Sequence, residues 1–535
     1  MIEKVRIRGY RKHRDLTLKP NIGMNIFVGD NEAGKSTILE GINLAMTGRI
    51  NGRPAAEELN PYWFNKEDVA AFFAARLIGE SPALPIIVIE LFFVDEDKLQ
   101  NLVGAHSSER PIRSCPGVEL RVEPNTDYNE EINEYLSQGE TAILPVEYYQ
   151  VIWRTFGDRV LTARPKELTT ALIDSRTIRS TSGIDFHLKQ MLSEHLDAKE
   201  KANISVAFRG VKQAMTTNQL AEVNARMNDI EGALAGETLG LAMDQSSRTS
   251  WDMSITPHVA DIPFSLAGLG QQAAVKVALA MDRSGGRARV VLIEEPENHL
   301  SYTSLNVLVD RIGTIKKEDQ QVFVATHSSF VLNRLGLDAL LLVGADSVVH
   351  FSDISDDTVR YFRRLPGYDT LRLVLGRLIV LVEGPSDEIL FERFYQDVHG
   401  QRPIDVGIDV ISMRGLSLGR CLEVGKLLGK SMAALRDNDG TEPSELRAEV
   451  GQFLDTDREV FIGAVEQGET LEPQVMSANS ETALRLALGV TPRADLNKWM
   501  RNNKTEGALR IADHDTVLTP PAYIAEAIAF IHDKR

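Results

Sequence analysis

The sequence predicts an α/β protein of about three units, and three observations predict it. The glycine-rich run Gly29-Asp30-Asn31-Glu32-Ala33-Gly34-Lys35-Ser36 follows the apolar stretch 25–28 and opens a helix from Thr37 to Ala45. The apolar run Val290-Val291-Leu292-Ile293 ends in the acids Glu294, Glu295 and Glu297. A third run, Leu378-Ile379-Val380-Leu381-Val382, ends at Glu383 and passes through a glycine turn into a helix that reaches Tyr395. A short apolar strand followed by a loop and a helix is the repeating unit of this class.

Composition bounds the possibilities. The 535 residues are 43% hydrophobic, enough for more than one core. The apolar runs 84–94 and 339–343 are too short or too interrupted to span a bilayer, and the first residues lack the apolar centre of a signal peptide. A cytoplasmic protein without a membrane partner is expected. Cys115 and Cys421 stand alone, which argues against a disulfide framework and against a zinc hook. A net charge of −17 argues against broad coating of DNA, so any nucleic-acid contact should be local. Two basic groups, Arg154, Arg159, Arg164, Lys166, Arg176 and Arg179, then Arg360, Arg363, Arg364, Arg372 and Arg377, are either such contacts or solvated faces.

Val5 to Arg8 and Leu16 to Leu18 alternate like short strands feeding the strand that ends in the glycine loop. Residues 86–93 read as a buried strand, and 111–139 as a polar, turn-rich stretch. From about Pro165 to Gly236 the spacing becomes helical. Leu188, Met191, Leu192 and Leu196 share one face, and Leu220, Val223, Met227, Ile230 and Leu234 keep three-and-four spacing over two heptads. That seam packs inside the protomer or joins two copies.

The first run fits G-x-x-x-x-G-K-[S/T]. Backbone N–H groups of such a loop, including those at Gly29, Asn31 and Gly34, curl around phosphate oxygens; Lys35 reaches the β/γ-phosphates, Ser36 helps to hold Mg²⁺, and Thr37 begins the helix whose N-terminus faces the same anion. At the second run, Glu294 is placed to hold the metal and Glu295 to act as general base toward the γ-phosphate, with ATP as the expected cofactor. About thirty residues on, 321–326 reads as a strand ending at His327, a candidate γ-phosphate sensor. Ser265-Leu266-Ala267-Gly268-Leu269-Gly270-Gln271-Gln272 stands where the heads of ABC ATPases carry their signature loop, although Ala267 and Leu269 break the usual order. These four pieces resemble an ABC-type head, and the resemblance implies that Gly268 and Gly270 meet ATP held by a second protomer.

Farther on, Ala433-Ala434-Leu435-Arg436 runs into Asp437-Asn438-Asp439. Clustered carboxylates repel unless a cation neutralises them, so Glu383, Asp437 and Asp439 call for Mg²⁺ or Mn²⁺, and two such ions can activate water against a phosphodiester. Glu-Gly at one strand tip and Asp-x-Asp at another resemble a Toprim domain. An ABC/SMC-like head with a helical insertion, followed by a Rossmann-like Toprim domain, resembles the OLD (overcoming lysogenization defect) nucleases. The stretch 361–372, running into 383–388, is similar to the subgroup encoded beside a UvrD-like helicase, which includes the nuclease subunit of the Gabija antiphage system.

The resemblance implies an ATP-regulated, metal-dependent DNA endonuclease that forms a homodimer or higher homo-oligomer, with a UvrD-like helicase as a possible partner. It implies that Glu383 and Asp387 hold one metal and that Asp437 and Asp439 share or hold the second. It adds Glu472, from Thr470-Leu471-Glu472, as a further ligand, and Lys504 as the group that steadies the phosphate or protonates the leaving oxygen. Glu388 reads as a solvated neighbour, and Gly415 as a turn or a point of close backbone approach. The implied layout is a first ATPase lobe over 1–164, the insertion over 165–240, a second lobe over 241–350, a linker over 351–376 and the Toprim domain over 377–535. An ATP-gated DNA-binding or repair scaffold with an inactive acidic site is the other reading. Topoisomerase chemistry lacks room for a tyrosine-bearing gate domain.

Overall fold

The computed structural model describes the chain apart from residues 30–32, 138–142, 175–195, 229–239, 247–250, 252–257, 260, 269, 273, 276–287, 299–300, 315–319, 336–338, 345–347, 352–354, 365–368 and 414–416. It forms two compact units. One comprises Met1–Phe27, Asn31–Thr326 and Val343–Val348, the other Val28–Asp30, His327–Leu342 and Val349–Arg535. The α/β expectation holds in both.

The first unit contains an antiparallel sheet and a parallel one. Strand Ile2–Tyr10 pairs with His13–Leu18 and Ile87–Phe93, and Cys115–Pro124 joins Ile87–Phe93 to Tyr149–Thr155. The parallel sheet sets Thr170–Asp174, Val290–Glu294, Gln321–Ala325 and Met24–Val28 side by side. The strands at 5–8 and 16–18 therefore belong to a different sheet from the strand that leads into the glycine loop. Helix Lys35–Thr47 contacts strands of both sheets and buries residues around most of its circumference, as a helix between two layers must.

A buried amide ties this unit together. Gln321 accepts from the Ile2 backbone N–H at 2.7 Å and donates to the carbonyls of Ile2 at 3.0 Å and Asn21 at 2.8 Å. Gln321→Leu is expected to lower stability by about 2–3 kcal/mol, because it strands backbone groups that water cannot reach. An unchanged denaturation midpoint would contradict this.

Three sequence expectations change. The polar stretch 111–139 contains strand Cys115–Pro124 and helix Asn129–Ser137. Its charges concealed the strand, since buried Glu119 is matched by Arg154 at 2.7 Å. Arg154, which also pairs with Asp158, is thus committed within the fold. Thr170–Asp174 is a strand where helix was expected, with Ala171 and Ile173 buried in β alternation. The insertion's described helices are Ala198–Ala214 and Ala221–Asn228. Leu220, Val223 and Met227 of the seam are partly buried, whereas Leu188, Met191, Leu192, Ile230 and Leu234, like Arg176 and Arg179, lie outside the described residues.

The third change concerns 351–376, expected as a linker. Helices Asp356–Arg364 and Asp369–Leu375 occupy it and are bonded to the second unit's core. Glu423 accepts from the Ser355 N–H and the Thr358 hydroxyl, and Arg372 is bound to Asp409, so Arg372 is not a free basic patch residue.

The second unit is built on a four-stranded parallel sheet in the order Ile408–Ser412, Leu378–Val382, Ser431–Arg436, Arg458–Ile462. From Leu378–Val382 the chain crosses first to one side and then to the other. The crevice at the carboxyl ends of Leu378–Val382 and Ser431–Arg436 is therefore a topological switch point, where α/β sheets bind ligands. Helices Pro385–His399 and Ala522–Asp533 pack beside the sheet and supply Phe391, Phe394, Ile524 and Ile528 to its core. No helix among the described residues is long and apolar enough to cross a membrane.

Candidate functional sites

The glycine loop ends in a steric lock. Gly34 has φ +89° and caps helix Lys35–Thr47, and a Cβ there would lie 2.5 Å from His13 Nε2. His13, fully buried on the neighbouring hairpin, contacts the Gly34 carbonyl at 3.1 Å. Sequence reading passed over His13, since a lone histidine carries no motif. Lys35 and Thr37 are buried and Ser36 is half-buried, whereas Asn31 lies outside the described residues.

In the same unit Glu294 completes its strand and is buried, and Glu295 follows with φ +46°. A non-glycine residue in that region is strained, and such strain persists where surrounding bonds enforce it. Here the Glu295 N–H donates to the Ala325 carbonyl at 2.8 Å, and Asn298 holds the Glu295 carboxylate. Thr326 donates to Glu297 at 2.9 Å, an anchor that the sequence did not reveal. His327 lies two residues beyond the end of its strand and is half-buried. Gly268 is exposed, and a Cβ added there would meet nothing within 4 Å; Gly270 begins a helical turn.

The second unit gathers its acids at the switch point. Glu383 follows Leu378–Val382, and its Oε1 accepts from the Asp437 N–H at 3.1 Å, which links the two strand tips. Asp387, in the first turn of helix Pro385–His399, accepts from the Gly384 N–H at 3.1 Å. Glu472, buried at the start of helix Leu471–Ala478, accepts from the Thr470 hydroxyl at 3.0 Å. Lys504 opens helix Lys504–Asp513 and places Nζ 3.4 Å from Glu472 Oε1.

The pairing of Glu472 with Lys504, about thirty residues apart in the chain, is a product of the fold. Asp439 is exposed, its φ of +46° held by an N–H bond to the Glu469 carbonyl at 3.1 Å. Between the two aspartates, Asn438 is buried and donates to the carbonyls of Gly463 and Gly468 at 2.9 and 2.8 Å. It fixes the loop that presents its neighbours. Glu388 is half-buried, and Gly415 lies outside the described residues.

Glu383, Asp387 and Asp437 hold protons unusually tightly. Burial, followed by the charge of Asp387, pushes Asp437 up to about 8; burial and then Glu383 raise Asp387 to about 6. Burial raises Glu383 as well, with Asp439 adding to it against the Asp437 N–H. Tyr523, 5% exposed on helix Ala522–Asp533, is pushed well above its usual range by burial and then by Asp387, Asp437, Glu383 and Glu472. Its phenol therefore stands within the field of the same four carboxylates. No sequence motif marked it.

Among the described residues no group of three or more acids, histidines or cysteines is already gathered at metal-ligand spacing. The acids share an electrostatic field rather than a closed cage. All of them offer hard oxygen donors, and a buried field of this sign fits a divalent cation such as Mg²⁺ or Mn²⁺.

Comparison with known proteins follows this division. Residues 4–231 match the family described as "AAA domain", and 255–333 the family "AAA domain, putative AbiEii toxin, Type IV TA system". Residues 375–439 match "Overcoming lysogenization defect protein-like, TOPRIM domain", a span that includes Glu383, Asp387, Asp437 and Asp439 but ends before Glu472 and Lys504. No curated protein matches the chain.

Among solved structures, the SMC head domain from Thermotoga maritima aligns at 12% identity and TM-score 0.29, over 65% of this chain and 98% of that one. The C-terminal region of the Burkholderia pseudomallei OLD protein aligns at 20% identity and TM-score 0.25, over 30% of this chain and 98% of that one. By these domain matches the chain carries an AAA-type ATPase region followed by an OLD-like Toprim domain.

Proposed function

We propose that this protein is a divalent-metal-dependent DNA endonuclease whose cutting site lies in the Toprim domain and is regulated by ATP in the head. The observation that carries this reading is the meeting of Glu383, Asp387, Asp437 and Glu472 at the switch point of a parallel sheet, with Lys504 beside them. Divalent ions bound there supply charge neutralisation and an activated water for phosphodiester hydrolysis. Glu383 and Asp387 hold one ion, and Asp437 and Asp439 share or hold the second, with Glu472 as a further ligand. The Asp437 N–H keeps Glu383 aimed at the crevice, and Asn438 keeps both aspartates presented. Lys504 neutralises charge that develops on the phosphate or its leaving oxygen. Tyr523, buried within the field of these acids, keeps its proton.

In the head, Lys35 and Ser36 bind the nucleotide phosphates and their Mg²⁺, Glu294 supports that metal, and Glu295 is the base. His327 reads the γ-phosphate. Gly268 and Gly270 approach the nucleotide of a second protomer, a role favoured by the open space around Gly268. A homodimer through the helical insertion is supported by the three-and-four spacing of Leu220, Val223, Met227, Ile230 and Leu234 in the sequence. An antiphage role beside a UvrD-like helicase rests on the sequence 361–388 alone. A UvrD-like helicase gene next door supports it, and a reverse transcriptase there counts against it.

The test is nicking of supercoiled plasmid in Mg²⁺ or Mn²⁺, with and without ATP. Cleavage by the parent and its loss in Glu383→Ala is the expected result, and undiminished cutting by that variant would refute the site. The second reading is an ATP-gated DNA-binding scaffold with an inactive acidic site. Failure of the parent to cut in any divalent metal would select it.

A further inference from the structure

We infer that the cavity flanking Glu383 seats a backbone phosphate of the DNA strand next to the one being cut, and that Arg436 is the residue that grips it. The inference rests on the nuclease reading of the neighbouring acids. The cavity measures about 510 Å³ and is lined by Glu383, Met413, Ser417, Gly419, Arg436 and Glu449, among others. That volume exceeds the needs of a water or a bare ion and falls within the range of small-ligand sites. It opens at three adjacent strand tips, since Glu383, Met413 and Arg436 end or follow Leu378–Val382, Ile408–Ser412 and Ser431–Arg436. Glu383 belongs to both the acid cluster and the cavity, so a polynucleotide lying over the acids continues into it.

The chemistry of the wall suits a phosphodiester. Among the described lining residues Arg436 is the cation, and its charge reaches Glu383. The guanidinium donates from Nη1 to Glu449 Oε2 at 2.8 Å, and the Glu449 side chain is 59% exposed. An ion pair with so exposed an acid adds little to stability, and Arg presents a fork that matches phosphate oxygens. Glu449 thus occupies Arg436 in the free protein much as a phosphate does in the complex. One residue before Met413, Ser412 Oγ is buried with no hydrogen-bond partner among the described residues.

The two members of the ion pair then act in opposite directions on DNA. Binding of a short duplex oligonucleotide is to be measured in Ca²⁺ in place of Mg²⁺, across a series of salt concentrations. Arg436→Gln should weaken binding on the order of tenfold and reduce the slope of log affinity against log salt by about 0.9, the value for one lost phosphate contact. Arg436→Lys should keep the slope, and Glu449→Gln should tighten binding by releasing the guanidinium. An ion pair that merely braces the fold would make Arg436→Gln and Glu449→Gln shift binding in the same direction, and that result overturns the inference. A parent that binds the duplex but cuts nothing in Mg²⁺ or Mn²⁺ fails the nuclease reading, whereas a parent that cuts while Arg436→Gln keeps its slope fails this inference alone.

Discussion

Asp437→Asn is expected to abolish metal-dependent DNA cleavage and, in the metal-free protein at pH 8, to raise the melting temperature by roughly 5–10 °C. Both effects have one origin. Asp437 is buried beside Asp387, Glu383 and Glu472, and its proton affinity is pushed up to about 8 from an ordinary value near 3.8. A carboxyl that binds its proton more tightly in the folded chain than in the unfolded one contributes stability below about pH 4 and loses that contribution as the pH rises through 8. At pH 8 the folded parent therefore carries a penalty from burial, and then from the neighbouring acids, on the order of a few kcal/mol, and the neutral amide removes it.

The gain should be small near pH 4 and largest at pH 8. Mg²⁺ should lift the melting temperature of the parent at pH 8, through binding to the folded state alone, and lift the variant far less. A variant less stable than the parent at pH 8 would contradict the account, because loss of packing, not relief of that penalty, would then dominate.

Lys35→Ala should reduce ATP hydrolysis at least about 100-fold, the scale for removing a charged group from a developing phosphate transition state. The backbone around Lys35 is rigidly placed. Helix Lys35–Thr47 is anchored against two sheets, and Gly34 is locked in a left-handed conformation against His13. The lysine thus projects from a frame that its own removal leaves intact. The stabilisation by Mg²⁺ that depends on Asp437 should persist in Lys35→Ala, since Asp437 and Lys35 belong to separate units. Parent-level ATP turnover in this variant would refute the assignment of the loop.

What was legible in the sequence shares one property: the chemistry is local. Lys35 follows Gly34 by one residue, Glu294 completes an apolar strand, and Glu383 and Asp437 stand at strand tips that any reader can mark from four or five apolar residues followed by acids. Strand Ile87–Phe93 was equally plain, because every side chain in it is buried and apolar or matched. Strand Cys115–Pro124 was hidden by Glu119, a charge tolerated inside because Arg154 meets it from another strand. Thr170–Asp174 was lost in a helical neighbourhood because five residues carry little periodicity of their own. The segment 351–376 looked like a linker, since its anchors, Glu423 and Asp409, lie about forty to seventy residues away.

By itself, then, the sequence marked two candidate sites, a phosphate loop near one end and acids at strand tips near the other, because each motif is written in a short run of consecutive residues. The tertiary structure alone decided which residues join them. It brought His13 under Gly34, Lys504 beside Glu472 and Tyr523 into the field of four carboxylates, and it set Arg436 against Glu449 on the wall of the cavity next to Glu383. The physical reason is that a charge or a hydrogen bond acts over a few ångströms of space, and only the folded chain sets which distant residues lie within that reach.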